Sequence, residues 1–376
     1  MRKIEMVDLV AQYGRLKSQI DSAVLDVIAS GQYINGKHVD DFAANLAALT
    51  GARYAIPCAN GTDALLLALI ALDLKPGDEV IIPDFTFIAA AEVVAMLRLT
   101  PVPVDVDYKT FNIDAGKIAE AVTDRTRAVI PVHLFGQCCD MDPIIKVAKE
   151  YGLYIVEDNA QSINAVYTFP DGERRTAGTM GDIGTFSFFP SKNLGCYGDG
   201  GAVVTDNERF ARKLKMLTVH GQERKYEHVI IGCNSRLDNL QAAVLNVKFT
   251  HLNDDTAARQ SAAKAYTERL AGCEGFLETP YVRQESSHVF HQYTLKICNG
   301  RRDELKLRLA KQGIPSMIYY PVPVHRQPAF KNLVKQGGDL RVSEELSQSV
   351  LSLPMHPDLT AEQIDFIAAE ITKQIR

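Results

Sequence analysis

The chain has 376 residues, of which 46% are hydrophobic and 23% are charged, which is the composition of an ordinary globular protein. A chain of this length exceeds what one compact core usually holds, so two domains are predicted. Its 41 Lys and Arg residues stand against 46 Asp and Glu residues, a net charge of −5, which argues against general binding of nucleic acids or of anionic membranes.

The chain start and the cysteines indicate the cellular compartment. Residues 1–8 contain no long apolar run, so no secretory signal is expected, and no stretch approaches the ~18 apolar residues of a membrane-spanning helix. The seven cysteines are scattered without a C-x-x-C pair, and Cys138 and Cys139 are adjacent, so all are predicted to be reduced thiols. We therefore expect a cytoplasmic protein.

The first predicted element is a helix whose apolar residues, from Leu16 to Ile28, recur at helical spacing and which ends at Gly31. After Gly51, short β-rich runs alternate with helical patterns. The predicted strands are Tyr54–Cys58, Glu79–Ile82, Val102–Val106, Ala128–Val132, Leu153–Val156, Thr185–Phe188 and Ala202–Thr205. The predicted helices between them are Thr62–Leu72, Phe87–Leu97, Ile118–Val122 and Pro143–Tyr151. Asp142 is the expected N-cap of the last helix. This alternation predicts a mostly parallel sheet covered by helices on both faces.

The alternation of strands and helices ends near Thr205. The elements predicted after it are a helix from Asp238 to Ala271 with a break at residues 253–255, a strand over residues 289–297, a helix over residues 303–312, and a last helix opened by the capping box of Thr360 and Gln363. The change of pattern predicts a large domain of residues 1–248 and a smaller α+β domain of residues 249–376.

Two predicted strands are followed by segments that suit a ligand site. At residues 60–63, Gly61 permits a tight turn, and Thr62 with the free N–H groups of the helix start can hold an anion, with a simple helix cap as an equal alternative. Residues 156–161 end an apolar strand, and ligands of open α/β sheets bind at this end. Asp158 is therefore a candidate functional carboxylate, with capping of its own loop as the alternative.

Lys192 follows the aromatic, β-rich run of residues 185–190 and precedes a loop rich in glycine. A solvated surface charge is the ordinary alternative for any lysine. Here the aromatic and small neighbours would partly remove the amine from water, which lowers its pKa and makes it nucleophilic. Lys192 is therefore a candidate nucleophile. Residues 233–238 form a further polar segment before the long helix, for which an Asx-type helix entry is the alternative.

Two other patterns are rejected as functional signals. Gly178, Gly181 and Gly184 are spaced G-x-x-G-x-x-G and precede a strand, whereas the dinucleotide-binding fingerprint is G-x-G-x-x-G and opens a helix. His133 and Cys138 could be imagined as metal ligands, but no second pair has ligand spacing. No metal is therefore expected.

Eight segments, spread over nearly the whole chain, follow one another in the order typical of a known family. They are Gly31–Gly36, Asn60–Leu65, Gly77–Ile81, Glu157–Ser162, Ser187–Lys192, Gly198–Ala202, Asn234–Asp238 and Leu353–Pro357. Together they resemble the sugar-nucleotide aminotransferases of the DegT/StrS type, which are pyridoxal-phosphate enzymes of fold type I. Asn159 is a departure, because the family usually has alanine or another small residue there. The resemblance implies an α/β fold with a mostly parallel central sheet, helices on both faces, and a smaller C-terminal α+β domain.

The resemblance also implies roles for individual residues, with pyridoxal 5'-phosphate as the cofactor. Lys192 would be the covalent anchor and would move a proton between the amino donor and the cofactor, while Asp158 would pair with the pyridine nitrogen. The other cofactor contacts implied are Gly61, Thr62, Phe87, Gln161, Ser187 and, from a partner subunit, Asn234. The substrate contacts implied are Arg236, again from the partner, together with Tyr320 and His325.

The implied activity is a ping-pong transfer of an amino group from L-glutamate to a keto-sugar nucleotide, by a homodimer with shared active sites. Residues 188–201, 220–222 and 235–238 look most like enzymes that act at C3 of UDP-2-acetamido-2-deoxy-3-oxo-D-glucuronate, whose products feed bacterial surface polysaccharides such as O-antigen. Enzymes of dTDP-3-keto-6-deoxyhexoses are the nearest alternative. A sugar dehydratase of the same fold, whose relatives carry His in place of Lys192, a non-catalytic pyridoxal-phosphate sensor and a nicotinamide oxidoreductase are more distant alternatives.

Overall fold

The computed structural model describes residues 2–375. Within them the strands, in chain order, are β1 (Tyr54–Cys58), β2 (Glu79–Pro83), β3 (Thr100–Val104), β4 (Thr126–Val129), β5 (Tyr154–Asp158), β6 (Val166–Thr168), β7 (Arg174–Thr176), β8 (Ile183–Ser187), β9 (Gly201–Thr205), β10 (Gln222–Arg224), β11 (Glu227–His228), β12 (Leu277–Glu278), β13 (Tyr293–Ile297) and β14 (Val350–Leu353). The α-helices are α1 (Leu9–Ser30), α2 (Lys37–Thr50), α3 (Gly61–Ala71), α4 (Ala89–Met96), α5 (Ala115–Ala121), α6 (Met141–Tyr151), α7 (Glu208–Leu217), α8 (Asn239–Phe249), α9 (Leu252–Leu270), α10 (Arg302–Lys311), α11 (Arg341–Ser349) and α12 (Ala361–Ile375). Each strand predicted before residue 206 is present, within a few residues of its predicted bounds.

A seven-stranded sheet of order β1-β9-β8-β5-β4-β2-β3 forms the centre of the protein. The strands from β3 to β8 in this order run parallel to one another, whereas β9 runs antiparallel to both β8 and β1. β2 is buried along its whole length, as expected for a parallel strand covered on both faces. The predicted α/β class with a mostly parallel sheet is confirmed.

Helices pack on both faces of this sheet. Val80 and Ile82 belong to the core shared with α3, α4 and α7, while the intervening Ile81 belongs to the core shared with α5 and α6. This alternation follows from the two-residue period of a strand. α3 is apolar nearly all round, and side chains such as Leu67 and Leu69 are fully buried. Such a helix lies inside the core, so its N-terminus has a fixed position at the edge of the sheet.

The C-terminal part of the chain has its own core. β12, β13 and β14 form an antiparallel sheet, and Tyr293, Leu309 and Ile367 are among the apolar residues packed between it and the helices α9, α10 and α12. Ile4 from the chain start joins the same core. The division into residues 1–248 and 249–376 stays a prediction, and the position of Ile4 shows that the chain start packs with the smaller part.

The break in the long C-terminal helix differs from its prediction. Helix α8 ends at Phe249 and α9 begins at Leu252, so the break precedes residues 253–255. Asp254 and Asp255 instead lie in the first turn of α9, where the helix dipole stabilises a negative charge. A run of acidic residues therefore marks the start of this helix and not its interruption.

The predicted N-cap of α6 is also wrong by two residues. The helix begins at Met141 with Asp140 at the N-cap, and Asp142 lies within its first turn. The Asp140 carboxylate caps nothing, because it accepts hydrogen bonds from the Tyr167 hydroxyl at 2.6 Å and from Arg283 at 2.6 Å. The Asp140 side chain therefore binds Tyr167 and Arg283, which are distant in the sequence, instead of capping the helix.

Two further C-terminal predictions have opposite outcomes. The strand predicted over residues 289–297 begins only at Tyr293, because residues 289–292 turn away to hydrogen-bond the backbone of residues 135–136. The capping box is confirmed: the Thr360 N–H donates to Gln363 Oε1 at 3.1 Å, and the Gln363 N–H donates to Thr360 Oγ1 at 3.2 Å.

Neither a membrane-spanning helix nor a disulfide occurs in the described chain. Within residues 2–375, every helix is too short or too polar to cross a lipid bilayer. The seven cysteines all lie in this range and are free thiols.

Candidate active site

A cavity of about 480 Å³ opens at the carboxyl edge of the central sheet, beside the N-terminus of α3. Ligands of parallel sheets bind at this edge. The structure brings together in its wall eight of the predicted site residues, namely Gly61, Thr62, Phe87, Asp158, Gln161, Ser187, Lys192 and Tyr320. Residues to which the sequence analysis gave no individual role complete the wall: Asn60, Leu65, Thr86, Ala89, Val132, Ala160, Phe189, Ser191, Asp199, His291, Gln292 and Tyr319.

Lys192 lies in the loop that leaves β8. Its N–H donates to the Phe189 carbonyl at 2.9 Å, and the loop is fixed further on because the buried Lys248 donates to the Gly195 carbonyl at 2.7 Å. Burial lowers the pKa of Lys192 to about 8, while the negative charge of Asp158 opposes the shift. An uncharged, nucleophilic amine is therefore available close to neutral pH.

Asp158 ends β5 and is only 8% exposed. Its Oδ1 accepts a hydrogen bond from the Ala160 N–H at 3.0 Å, whereas its Oδ2 accepts none from any residue within 2–375. Burial raises the pKa of this carboxyl, and the Ala160 N–H and the Lys192 cation oppose that rise. A buried carboxylate with one oxygen open to the cavity can hold a proton on a cationic ring nitrogen.

The neighbouring carboxylate, Glu157, has a structural role. It is fully buried and accepts hydrogen bonds from three backbone N–H groups of residues 178–181, at 2.5–2.8 Å, and from His133 Nε2 at 2.9 Å. His133 Nδ1 accepts from the Cys139 N–H, which places the ring proton on Nε2. The glycine-containing segment of residues 178–181 is therefore a loop that binds the Glu157 carboxylate. Among the described residues, no cluster of His, Cys, Asp and Glu is arranged to hold a metal ion.

The start of α3 has the features of a phosphate site. Asn60 Oδ1 accepts from the Asp63 N–H at 2.8 Å, which leaves the first two N–H groups of the helix, those of Gly61 and Thr62, without an acceptor inside the helix. A Cβ on Gly61 would lie 2.6 Å from that of Ser187, so only glycine lets the helix approach β8 this closely. Free N–H groups, two hydroxyls and the positive end of a helix dipole together favour an anion.

Aromatic rings and an amide line another part of the cavity. Phe87 lies in the cavity wall and is 54% exposed, and its ring centre lies 6.0 Å from that of Tyr320. Gln161 Nε2 donates to the Tyr320 hydroxyl at 3.0 Å, and Gln161 Oε1 accepts from the Phe135 N–H at 2.8 Å. An open aromatic face of this kind suits stacking on a flat heteroaromatic ring.

Three predicted site residues lie outside this cavity. Asn234 is exposed and Arg236 is half-buried, and neither side chain hydrogen-bonds to any described residue, so both are free to reach another chain. Asn234 does not cap α8, whose N-cap is Asp238. His325 is different, because its ring nitrogens are held by carboxylates: Nδ1 lies 2.7 Å from Asp84 and Nε2 lies 3.2 Å from Glu344.

His291 is the most informative residue that the sequence analysis missed. It is 5% exposed in the cavity wall, and its ring makes no hydrogen bond with any described residue. Burial, together with the cations of Lys192 and Arg259, holds its pKa well below the ordinary value, so the imidazole is neutral. The sequence held a signal for this residue, because His291 stands two positions from Val289 and two from Tyr293, whose side chains are also buried.

The site as a whole fits pyridoxal 5'-phosphate. It offers an amine whose pKa is lowered to about 8, a carboxylate with an open oxygen, an anion site at a helix start and an exposed aromatic ring, all in one cavity. The fold and the site together define a pyridoxal-phosphate enzyme of fold type I.

The chain belongs to the DegT/DnrJ/EryC1/StrS aminotransferase family, which it matches over residues 15–372. It is 44% identical to the "pleiotropic regulatory protein" of Geobacillus stearothermophilus, with 99% of each chain covered. It is 42% identical to the UDP-2-acetamido-2-deoxy-3-oxo-D-glucuronate aminotransferase of Pseudomonas aeruginosa, over 98% of this chain and 99% of that one. It is 41% identical to the dTDP-3-amino-3,4,6-trideoxy-α-D-glucose transaminase of Streptomyces venezuelae, over 96% and 93%.

Solved structures agree with the family assignment. DesV of S. venezuelae, in complex with a ketimine intermediate, superposes with a TM-score of 0.95 at 39% identity and covers 100% of this chain and 99% of that one. NtdA from Bacillus subtilis, with the bound cofactor PMP, superposes with a TM-score of 0.88 at 33% identity, over 96% and 82%. The protein is a pyridoxal-phosphate-dependent aminotransferase.

The lowered pKa of Lys192 can be measured on the cofactor-free enzyme. Because the uncharged amine is the reactive form, labelling of Lys192 by fluorodinitrobenzene should rise with pH and reach half its maximal rate near pH 8. Peptide mass spectrometry gives the rate, and the exposed Lys264 supplies an internal reference. A midpoint near the ordinary value of 10.5 would contradict the burial argument.

Replacing the carboxylate tests the coupling between the two residues. Asp158→Asn removes the negative charge that raises the pKa of Lys192, so the labelling midpoint should fall further. At pH 7, below the wild-type midpoint, a larger fraction of Lys192 is then uncharged, so the lysine should react severalfold faster. Equal or slower labelling would show that the two charges do not interact.

Proposed function

We propose that this aminotransferase moves the amino group of L-glutamate to C3 of UDP-2-acetamido-2-deoxy-3-oxo-D-glucuronate. The observation that carries an amino-transfer reaction is the pairing of a buried amine, Lys192, with a buried carboxylate, Asp158, in a cavity with an anion site. The glucuronate substrate is supported by the 42% sequence identity to the UDP-2-acetamido-2-deoxy-3-oxo-D-glucuronate aminotransferase of Pseudomonas aeruginosa. The dTDP-sugar transaminase at 41% makes a dTDP-linked 3-keto-6-deoxy sugar the second candidate.

The residues of the cavity account for the steps that such a reaction needs. When bound, pyridoxal 5'-phosphate takes up the amino group and supplies an electron-withdrawing ring. Lys192 Nζ, whose pKa is lowered to about 8, would anchor the cofactor and carry a proton to and from the donor's α-carbon. Asp158 would keep a proton on the ring nitrogen. Gly61, Thr62 and Ser187 would bind the phosphate.

The remaining contacts would orient the two substrates and the ring. Gln161, whose amide orientation is fixed by Phe135 and Tyr320, would donate to the ring hydroxyl, and Phe87 would stack on the ring face. Tyr320 would face the substrate. In this arrangement the protein holds the reacting groups in one geometry, which can lower the free-energy barrier by about 7 kcal/mol.

A regulatory function is the alternative favoured by one comparison, the relative named a pleiotropic regulatory protein. A sensor would need to bind the cofactor but would not need a proton carrier. The lowered pKa of Lys192 suits both functions, because a covalent bond to the cofactor aldehyde needs an uncharged amine in either case. Catalysis is supported instead by the relatives at 42% and 41% identity, which are named as an aminotransferase and a transaminase.

We further propose that the site is completed by a second subunit in a homodimer. Asn234 and Arg236 lack side-chain partners among the described residues, and the segment before them exposes apolar side chains: Tyr226 is 83% exposed and Ile231 is 93% exposed. Exposed apolar surface of this kind marks an interface. Asn234 would then reach the cofactor phosphate, and Arg236 the substrate, of the neighbouring chain.

The biological setting of the reaction belongs to the same proposal. The free cysteines suit a reducing compartment, which supports a cytoplasmic enzyme. An amino sugar made on a UDP carrier is a building block for polymers, so we place the reaction in bacterial surface polysaccharide synthesis.

A substrate panel tests the proposed reaction. The holoenzyme is supplied with L-glutamate and, separately, the UDP-linked 3-oxo-glucuronate, its C6-alcohol counterpart and a dTDP-3-keto-6-deoxyhexose, and 2-oxoglutarate and amino sugar are measured by mass spectrometry. We expect kcat/KM for the UDP-glucuronate compound to exceed the others at least tenfold. Faster turnover of the dTDP sugar would contradict the substrate assignment, and no amino sugar from any compound would contradict nucleotide-sugar amination.

Subunit mixing tests the shared site. Lys192→Ala and Arg236→Ala are each expected to be inactive as homodimers. After exchange of subunits, half the dimers are mixed and half their sites contain both residues, so about a quarter of wild-type activity should return. Native mass spectrometry confirms the exchange. If no activity returns although mixed dimers are present, both residues serve the same chain.

A further inference from the structure

His325 lies outside the cavity but next to segments that line it. We propose that Asp84 and His325 form a clamp that positions Tyr320 in the cavity wall, so that His325 is a positioning residue and not a substrate contact. The inference rests on the proposed function, in which Tyr320 faces the substrate. It assigns to His325 a role different from the one that family resemblance implies.

Three hydrogen bonds build the clamp. The Asp84 carboxylate accepts from the His325 N–H through Oδ1 at 2.8 Å and faces His325 Nδ1 through Oδ2 at 2.7 Å. The Asp84 carbonyl accepts from the Val324 N–H at 2.9 Å. Asp84 itself continues the sheet, because its N–H donates to the Val104 carbonyl at 2.9 Å. The clamp therefore ties the chain at residues 324–325 to the end of β2 in a single register.

Because Asp84 is buried, the loss of any of these hydrogen bonds would be costly. The side chain is fully buried, and burial raises the pKa of its carboxyl while His325 opposes the rise. Since a carboxylate only accepts hydrogen bonds, Nδ1 of His325 is the donor. The other ring nitrogen lies 3.2 Å from Glu344 of α11, so the ring is held at both ends. A buried carboxylate that lost its partner would have no water to replace it.

Tyr320 depends on both segments that the clamp joins. It lies five residues before His325 in the chain, and its ring lies 6.3 Å from Phe85 and 6.0 Å from Phe87, which follow Asp84 by one and three residues. Its hydroxyl accepts the hydrogen bond from Gln161 at 3.0 Å. Loosening the clamp would let residues 320–325 move relative to residues 84–87. Tyr320 would then shift relative to Phe87 and Gln161, although neither clamp residue touches the cavity.

Two substitutions of the same histidine separate the clamp from general packing. In His325→Asn the side-chain amide can donate from the position of Nδ1, which preserves the bond to Asp84. In His325→Gln the amide nitrogen reaches the position of Nε2 and that bond is lost. We expect His325→Asn to keep kcat/KM within about threefold of wild type and His325→Gln to lose roughly 10- to 100-fold, the scale for misplaced reacting groups.

A double-mutant cycle shows whether the clamp acts through Tyr320. In the background of Tyr320→Phe, which lacks the hydroxyl that accepts from Gln161, His325→Gln should lower kcat/KM by less than about threefold. Asp84→Ala, which removes both carboxylate oxygens, should reproduce the loss of His325→Gln, and the two together should be no worse than either alone. Asp339→Ala, at an exposed ion pair with Arg341, is the matched control for loss of a carboxylate and should behave as wild type. Thermal unfolding checks that each variant is folded.

A second readout does not depend on turnover. Circular dichroism of the cofactor band, recorded with bound pyridoxamine 5'-phosphate, should change in His325→Gln and stay as in wild type in His325→Asn. Equal losses of kcat/KM by His325→Gln in both backgrounds, or equal effects of the Asn and Gln variants on activity and dichroism, would overturn the clamp. If no sugar nucleotide is aminated by the wild type, the proposed function fails, and the dichroism alone then decides the clamp.

Discussion

Removal of the Lys192 amine from water, beside a carboxylate that is also removed from water, is the constraint on which the rest of the site depends. Burial raises the pKa of Asp158 and lowers that of Lys192, and the attraction between the two charges opposes both shifts. This balance requires the ends of β5 and β8 to be adjacent, which the parallel pairing of these strands provides.

Each layer around this pair preserves its geometry. The loop after Lys192 is held through the Gly195 carbonyl by Lys248, and the strand that carries Asp158 is held through Glu157 by a backbone loop and His133. Buried polar groups of this kind are costly when unpaired, so they hold a single arrangement when fully paired. Few residues therefore take part in the chemistry, and their positions are fixed by other residues that lie outside the cavity.

The sequence predicted what depends on local pattern. Strand–helix alternation gave the sheet, and short motifs placed Lys192, Asp158 and the start of α3 in one cavity, because parallel strands share one carboxyl edge. It failed where distant residues decide. Asp140 is held by Tyr167 and Arg283 instead of capping α6, and His325 pairs with Asp84 from 241 positions earlier in the chain. No local rule reports such partners.

The most direct test of this account is to identify the lysine that carries the cofactor. The holoenzyme is reduced with borohydride, digested, and analysed by peptide mass spectrometry for the pyridoxyl group. The account predicts the group on Lys192. Lys248 is a stringent internal comparison, because it is also buried and burial lowers its pKa to about 8, yet its amine is engaged by the Gly195 carbonyl. A pyridoxyl group on Lys248, or on any lysine other than Lys192, would contradict the account.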